Sequence, residues 1–419
     1  MYYYSLNREA PGSDFREAVI SGQARDKGLY FPAALPRLPE AWIKTIETRS
    51  DIAIGIDIMR PYTEHALPEK ILQRIIEETL SFPMPLIPLS ENIFSMELFH
   101  GPTQAFKDIG ARFMSGCLGY FLRGAKQKAI VLTATSGDTG GAVAHAFHNV
   151  PGIEVVILYP SRKISTVQEA QITGPGGNIN ALAIEGTFDD CQALVKQAFA
   201  DEALRQKRIL TSANSINIAR WLPQQIYYFL AWKQWPEKQA PPLISVPSGN
   251  FGNISAGVLA HLSGLPAEGF IAACNANAAV PDYLASGHYQ TGPVKHTLSS
   301  AMDVSAPNNF VRLLALYHNQ YSGLKDVVSG YSISDDQTRN AIKQAYNRYD
   351  YLLDPHGAVG FAALEKAQEL QIGRKGLFLE TAHPAKFLSA RPEEEQAGNY
   401  IAMDKTYKAF KHYLLENLG

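Results

Sequence analysis

Hydrophobic positions change rhythm about a third of the way along the chain. From about Ala129 they gather into short continuous runs rich in Val and Ile, each closed by turn residues and followed by a helix-length amphipathic segment. The runs are Ala129–Ala134, Ile153–Tyr159, Ile179–Ile184, Arg208–Thr211, Leu243–Val246, Phe270–Cys274 and Leu377–Leu379. Continuous hydrophobicity marks strands covered on both faces, as in parallel sheets. The segments Gly140–His148, Phe188–Phe199, Ile218–Trp232 and Ile254–Leu262 supply the helical crossovers that parallel pairing needs. Before this region proline and glycine punctuate the chain, and two helices are predicted there: Phe15–Gly22, and Pro68–Phe82 with apolar positions at Ile71, Ile75, Ile76 and Leu80. The interval Pro281–Asp354, turn-rich and then helical, interrupts the strand rhythm. It reads as an elaboration of a second α/β unit, with a seam near Ile218–Pro242.

Composition narrows the class of protein without changing that picture. The 419 residues are 46% hydrophobic and 19% charged, which is globular, and the length suits two or three packed domains. Lys and Arg number 38 against 40 Asp and Glu, so the net charge is −2, and no charge block implies a nucleic-acid surface. Three dispersed cysteines, Cys117, Cys191 and Cys274, fit a reduced compartment. No run reaches the roughly 18 apolar residues of a membrane span, and no signal-peptide pattern opens the chain, so a cytoplasmic location is expected. His145 and His148 are spaced i, i+3 but lack a third ligand nearby in sequence, so no metal is expected.

In open α/β sheets, ligands bind beyond the carboxyl ends of strands. After Leu243–Val246 comes Pro247-Ser248-Gly249-Asn250-Phe251-Gly252-Asn253 and then a helix, a candidate phosphate cradle in which glycines admit close backbone approach and the helix dipole favours an anion. An ordinary Gly/Asn turn is the competing reading. After Ala129–Ala134 comes Thr135-Ser136-Gly137-Asp138-Thr139-Gly140-Gly141, a second place for an anionic group, although Asp138 or Thr139 taken singly reads as an N-cap. Lys107 lies between Phe106 and the apolar side of a helix through Ile109, Phe113 and Leu118, where desolvation favours the neutral amine. Most lysines are solvated surface charges, but a nucleophilic amine together with a phosphate cradle is what pyridoxal phosphate requires. Thr381, at the end of the last strand, offers a hydroxyl to a pyridine nitrogen that a neutral partner does not hold firmly protonated. Taken alone it reads as a strand terminator before Pro384.

Taken together, these segments resemble the threonine synthases of the bacterial and fungal type, a family of fold type II pyridoxal-phosphate enzymes. The likeness begins at Gly28-Leu29-Tyr30-Phe31-Pro32 and runs through H-G-P-T-Q-A-F-K-D (100–108), T-S-G-D-T-G-G-A-V (135–143) and S-A-N-S-I-N-I-A-R (212–220). It continues through S-G-N-F-G-N (248–253), A-M-D-V-S-A-P-N-N-F (301–310) and T-A-H-P-A-K-F (381–387). It implies an α/β fold of two open, mostly parallel twisted sheets flanked by helices, like the tryptophan synthase beta subunit, with an N-terminal extension. On that reading residues 1–90 form the extension, 91–230 a smaller domain with Lys107 and the T-S-G-D-T-G loop, and 231–419 a larger domain with the phosphate loop. The resemblance also implies that Lys107 forms the internal Schiff base, that Gly249, Asn250, Phe251, Gly252 and Asn253 hold the cofactor phosphate, and that Thr381 meets the pyridine nitrogen. Ser136, Gly137, Asp138 and Thr139 are expected near the substrate carboxylate or the cofactor's phenolic oxygen. Gln104 stands where relatives are often apolar, and Gly357, in Asp354-Pro355-His356-Gly357, where a larger residue is common.

The implied reaction converts O-phospho-L-homoserine and water to L-threonine and phosphate, in a monomer or homodimer with no nucleic-acid or membrane partner. Arg220, Lys163 and Ser161, beside strand ends, are candidate donors to the substrate phosphate. Two alternatives stay open: a pyridoxal-phosphate dehydratase or phospho-lyase, and a non-catalytic phosphometabolite-binding protein.

Overall fold

The computed structural model describes residues 1–370, 373–387 and 399–418. The strands are β1 (Tyr3–Ser5), β2 (Tyr30–Pro32), β3 (Leu86–Pro88), β4 (Ile93–Glu97), β5 (Ala129–Ala134), β6 (Ile153–Pro160), β7 (Ile179–Ile184), β8 (Ile209–Ser212), β9 (Leu243–Pro247), β10 (Gly269–Cys274), β11 (Val328–Ser332), β12 (Gly376–Glu380) and β13 (Ile401–Met403). They form a five-stranded sheet in the order β13-β7-β6-β5-β8, a six-stranded sheet in the order β11-β10-β9-β12-β4-β3, and the small antiparallel pair β1-β2. Every pairing in the two large sheets is parallel except β3 with β4. The fold class is thus the expected one.

Side-chain alternation explains why both sheets are covered on two faces. In β5, Ala129 and Val131 enter a central core while Ile130, Leu132 and Ala134 enter an outer one. In β10, Phe270 and Ala272 enter that same central core and Ile271 and Ala273 a separate outer core. The central core is therefore shared between the two sheets. The helices Lys107–Phe121, Gln225–Gln234 and Gly252–Leu262 contribute Phe113, Phe229 and Val258 to it, each fully buried.

Three expectations need correction. The predicted helix Ile218–Trp232 is broken into Ile218–Trp221, a tight turn Leu222–Gln224 and Gln225–Gln234, because Pro223 has no amide to donate and its ring crowds the preceding turn. The interval Pro281–Asp354 contains β11, which pairs with β10 and continues the sheet. The contiguous boundaries at 90 and 230 do not describe how strands are shared: β4 pairs with β12 in the six-stranded sheet, and β13 returns from the far end of the chain to pair with β7. The helix Tyr407–Glu416 follows β13 and buries Phe410 and Leu414 on the outer face of the five-stranded sheet.

Candidate active site

A cavity of about 1330 Å³ opens between the carboxyl ends of the two sheets, the position where open α/β sheets collect ligands. One wall comes from the turns after β5, β6 and β8, the other from the turns after β9 and β12 and from residues 300–304. Lys107, Ser136, Asp138, Thr139, Lys163, Arg220, Gly249, Asn250, Phe251, Gly252, Asn253 and Thr381 all line it. Gly137 and Ser161 are not on its wall. A Cβ on Gly137 would meet the Gln168 amide at 2.4 Å, and with φ at 137° the position requires glycine. The Ser161 amide donates to Ile184 O at 2.9 Å, beside β7.

Lys107 is the first residue of the helix Lys107–Phe121. The segment before it is stitched to the end of β12, with Phe106 N donating to Thr381 O at 2.9 Å, His383 N to Gln104 O at 3.0 Å, and Ala105 bridging Ala382. Tyr227 Oη donates to Phe106 O from the other side. These contacts fix the backbone from which the amine projects and bring Thr381 beside it. The Lys107 side chain keeps 19% exposure and lies 4.8 Å from the Phe106 ring. Burial lowers its pKa, Asp138 at 3.5 Å opposes that effect, and Lys386 and Arg220 reinforce it.

Asp138 opens the helix Asp138–Phe147 and is 3% exposed. Burial works to raise its pKa, yet Lys386 and Lys107, with a hydrogen bond from Gln168 at 3.0 Å, hold the carboxyl well below the usual range. Thr135 Oγ1 accepts from Gly137 N at 3.0 Å and from Gly140 N at 2.9 Å, which shapes the turn. Asp138 therefore serves as an anion fixed among cations rather than as an exposed cap.

The cradle Gly249–Asn253 suits a phosphate. A Cβ on Gly249 would lie 2.7 Å from Met302 Cα, so only glycine lets residues 301–302 close over it. Phe251 is held in the left-handed region at φ 61°, a strain of about 1–3 kcal/mol offset by surrounding structure. Its ring meets Phe310 edge-on at 5.9 Å. The first amides of the helix Gly252–Leu262 have no partner within the helix. Asn253 Nδ2 is buried without a partner while its Oδ1 accepts from Tyr228 at 2.7 Å.

Arg220 is 4% exposed, donates to Ala213 O, and has a buried Nε with no partner. Gly110 makes room for it, since a Cβ there would come within 3.0 Å of that Nε. Burial pushes the guanidinium down to about 10, so it remains a cation at neutral pH, and no carboxylate lies within 4.0 Å among the described residues. Lys386, Gln168 and Asn309 escaped the sequence reading. Lys386 and Asn309 sit inside recognised motifs, but their contacts, to Asp138 and to Ser215 Oγ at 3.0 Å, join positions far apart in the sequence. Gln168 also completes the capping box of Ser165, which is all its local sequence signals.

Comparison with known proteins gives concordant results. A family model described as pyridoxal-phosphate dependent enzyme matches residues 80–380, and one described as threonine synthase N terminus matches residues 2–80. The chain is 46% identical over 391 residues to threonine synthase of Haemophilus influenzae, covering 92% of this chain and 89% of that one. Its structure superposes on crystalline threonine synthase from Escherichia coli with TM-score 0.91 and 39% identity over 100% of both chains. Against PLP-bound threonine synthase from Brucella melitensis the TM-score is 0.90, with 33% identity over 99% of this chain and 98% of that one.

Proposed function

The chain belongs to the threonine synthases, a family of pyridoxal-phosphate dependent lyases, and from that premise we propose how its own residues carry the reaction. The substrate we assign is O-phospho-L-homoserine, which with water gives L-threonine and inorganic phosphate. The observation that carries this reading is a single cavity in which a desolvated lysine amine, a glycine-rich helix start and a buried unpaired arginine converge.

Pyridoxal phosphate, when bound, supplies a conjugated electron sink that makes hydrogens beside the amino-acid carbon acidic. Gly249 to Asn253 take its phosphate, with Asn253 Nδ2 available as a side-chain donor. Thr381 presents a hydroxyl to the pyridine nitrogen. Lys107 would hold the cofactor through its amine and, where that amine is free, would serve as the base that moves the substrate's α proton. Ser136 and Thr139 receive the substrate carboxylate near the helix start. Arg220 and Lys163 hold the departing phosphate, Arg220 being the stronger partner because it is dry and unpaired. Ser161 stands off the wall and is left without a direct role. Both sides of the cavity come from one chain, so a monomer or homodimer is expected, in the cytoplasm, where its three free cysteines stay reduced.

Incubation with O-phospho-L-homoserine and identification of the organic product tests the reading. Threonine with one equivalent of phosphate supports it, and 2-oxobutanoate points instead to a dehydratase. Arg220→Ala is expected to cost about 1.5–3 kcal/mol in kcat/KM toward that substrate. An unchanged value removes Arg220 from the phosphate site.

A further inference from the structure

Among the described residues, Lys386 is the one lysine that is fully buried. It lies in the short turn Pro384–Lys386 after β12. Its Nζ donates to Asp138 Oδ1 at 2.7 Å and to Thr103 O at 2.8 Å. Thr103 is itself fixed, its amide and hydroxyl donating to Asp108 at 3.0 and 2.6 Å. Gln168 donates to the same Asp138 oxygen, while Lys107 faces the other one, Oδ2, at 3.5 Å. One buried carboxylate thus stands between two lysines and is bonded more closely to the one that does not line the cavity.

A single anion compensates a single buried cation. We propose that Lys386 is a positioning residue: by claiming Asp138 it keeps that carboxylate from holding Lys107 as an ammonium ion, leaving the Lys107 amine free to attach the cofactor aldehyde and to carry a proton. This deepens the role given to Lys107 above and rests on it. The charged groups acting on Lys107 are Asp138 on the helix Asp138–Phe147, Lys386 after β12 and Arg220 on Ile218–Trp221, with Tyr227 on Gln225–Gln234 and Asp108 acting in turn on Arg220. Lys386 and Arg220 favour the neutral amine and Asp138 opposes it. Removing Lys386 deletes a like charge and releases Asp138 at once, so both effects raise the Lys107 pKa. Replacing Asp138 by Asn removes the attraction and lowers it.

The full-length chain freed of cofactor is labelled with acetic anhydride across a pH series, and peptide mass spectrometry reads the labelling midpoint of Lys107 against exposed Lys70. In the wild type the Lys107 midpoint lies below that of Lys70. Lys386→Met raises it by about one pH unit, a tenfold loss of free amine at a fixed lower pH. Asp138→Asn moves it down. Loosening of the fold cannot produce shifts of opposite sign. Should Lys386→Met fail to fold, Lys386→Gln, which removes the same charge and keeps a polar end, takes its place with the same expected rise. A midpoint that stays or falls in Lys386→Met, or stays or rises in Asp138→Asn, overturns the proposal. Cofactor uptake is scored separately by visible absorbance: shifts as stated in a chain that takes up no cofactor would sink the role of Lys107 while leaving its coupling to Lys386 standing.

Discussion

Gly357 shows how one residue can be dictated by a neighbour distant in sequence. A Cβ there would fall 1.5 Å from Oε2 of Glu380. Glu380 ends β12 fully buried, its Oε1 accepting from Asp354 N at 2.8 Å and its Oε2 without a partner, and burial together with Asp354 pushes its pKa well above the usual range. Asp354 in turn holds His356 Nδ1 at 2.6 Å, and His356 Nε2 accepts from Ala301 N at 3.2 Å, in the segment that closes over Gly249. Gly357→Ala is expected to destabilise the protein by about 1–3 kcal/mol, and Glu380→Ala in the same chain to recover part of that, as thermal unfolding will show. A carboxyl whose folded pKa is raised contributes stability that is present below its unfolded pKa, about 4.3, and lost as pH rises toward the folded value. Glu380→Gln should therefore gain more in Tm over the wild type at pH 8 than at pH 5. Equal gains at both would mean that Glu380 is already ionised at the lower pH. The sequence shows Gly357 as unusual and Lys107 as a candidate from its apolar flanks and motif. It cannot show Lys386 meeting Asp138, because that contact joins positions on opposite sides of the cavity.

Among elements, legibility follows unbroken hydrophobicity: β4, I-F-S-M-E, is buried at four of its five positions, but its serine and glutamate interrupt the run and the pattern does not predict it. The strands β5, β6, β7, β9, β10 and β12 are nearly or wholly buried, and continuous hydrophobicity announces them. The edge strand β11, V-S-G-Y-S, carries serine and glycine and is mostly accessible, and β13 has three residues of which two are exposed, so neither carries a pattern to detect. Their places depend on pairing partners far away in the chain. The same non-locality hid the return of the C-terminal helix to the five-stranded sheet, where Tyr413 donates to Asn180 at 2.9 Å and Arg208 donates to Leu415 O at 2.9 Å and Leu418 O at 2.7 Å. Phe410 is 0% exposed in that outer core. Phe410→Ala is expected to cost about 3–5 kcal/mol, read as a lowered unfolding midpoint. A midpoint unchanged from the wild type would detach this helix from the sheet.

At the scale of the molecule, two sheets built from interleaved segments share one core and leave a cavity at their common carboxyl edge. Each wall supplies a different chemistry, phosphate capture from the turn after β9 and the fixed anion Asp138 from the turn after β5, with Lys107 between them. A ligand that bridges the walls should stabilise the whole, by about 2.7 kcal/mol at a hundredfold excess over its Kd. Pyridoxal phosphate is expected to raise Tm clearly, and pyridoxal, which lacks the group the cradle holds, far less. The most direct test of the account is to load the chain with pyridoxal phosphate, reduce it with borohydride, digest it and locate the modified lysine by mass spectrometry. The cofactor mass is predicted on the peptide containing Lys107 and absent from Lys107→Ala. Modification at another lysine, or at none, would contradict it.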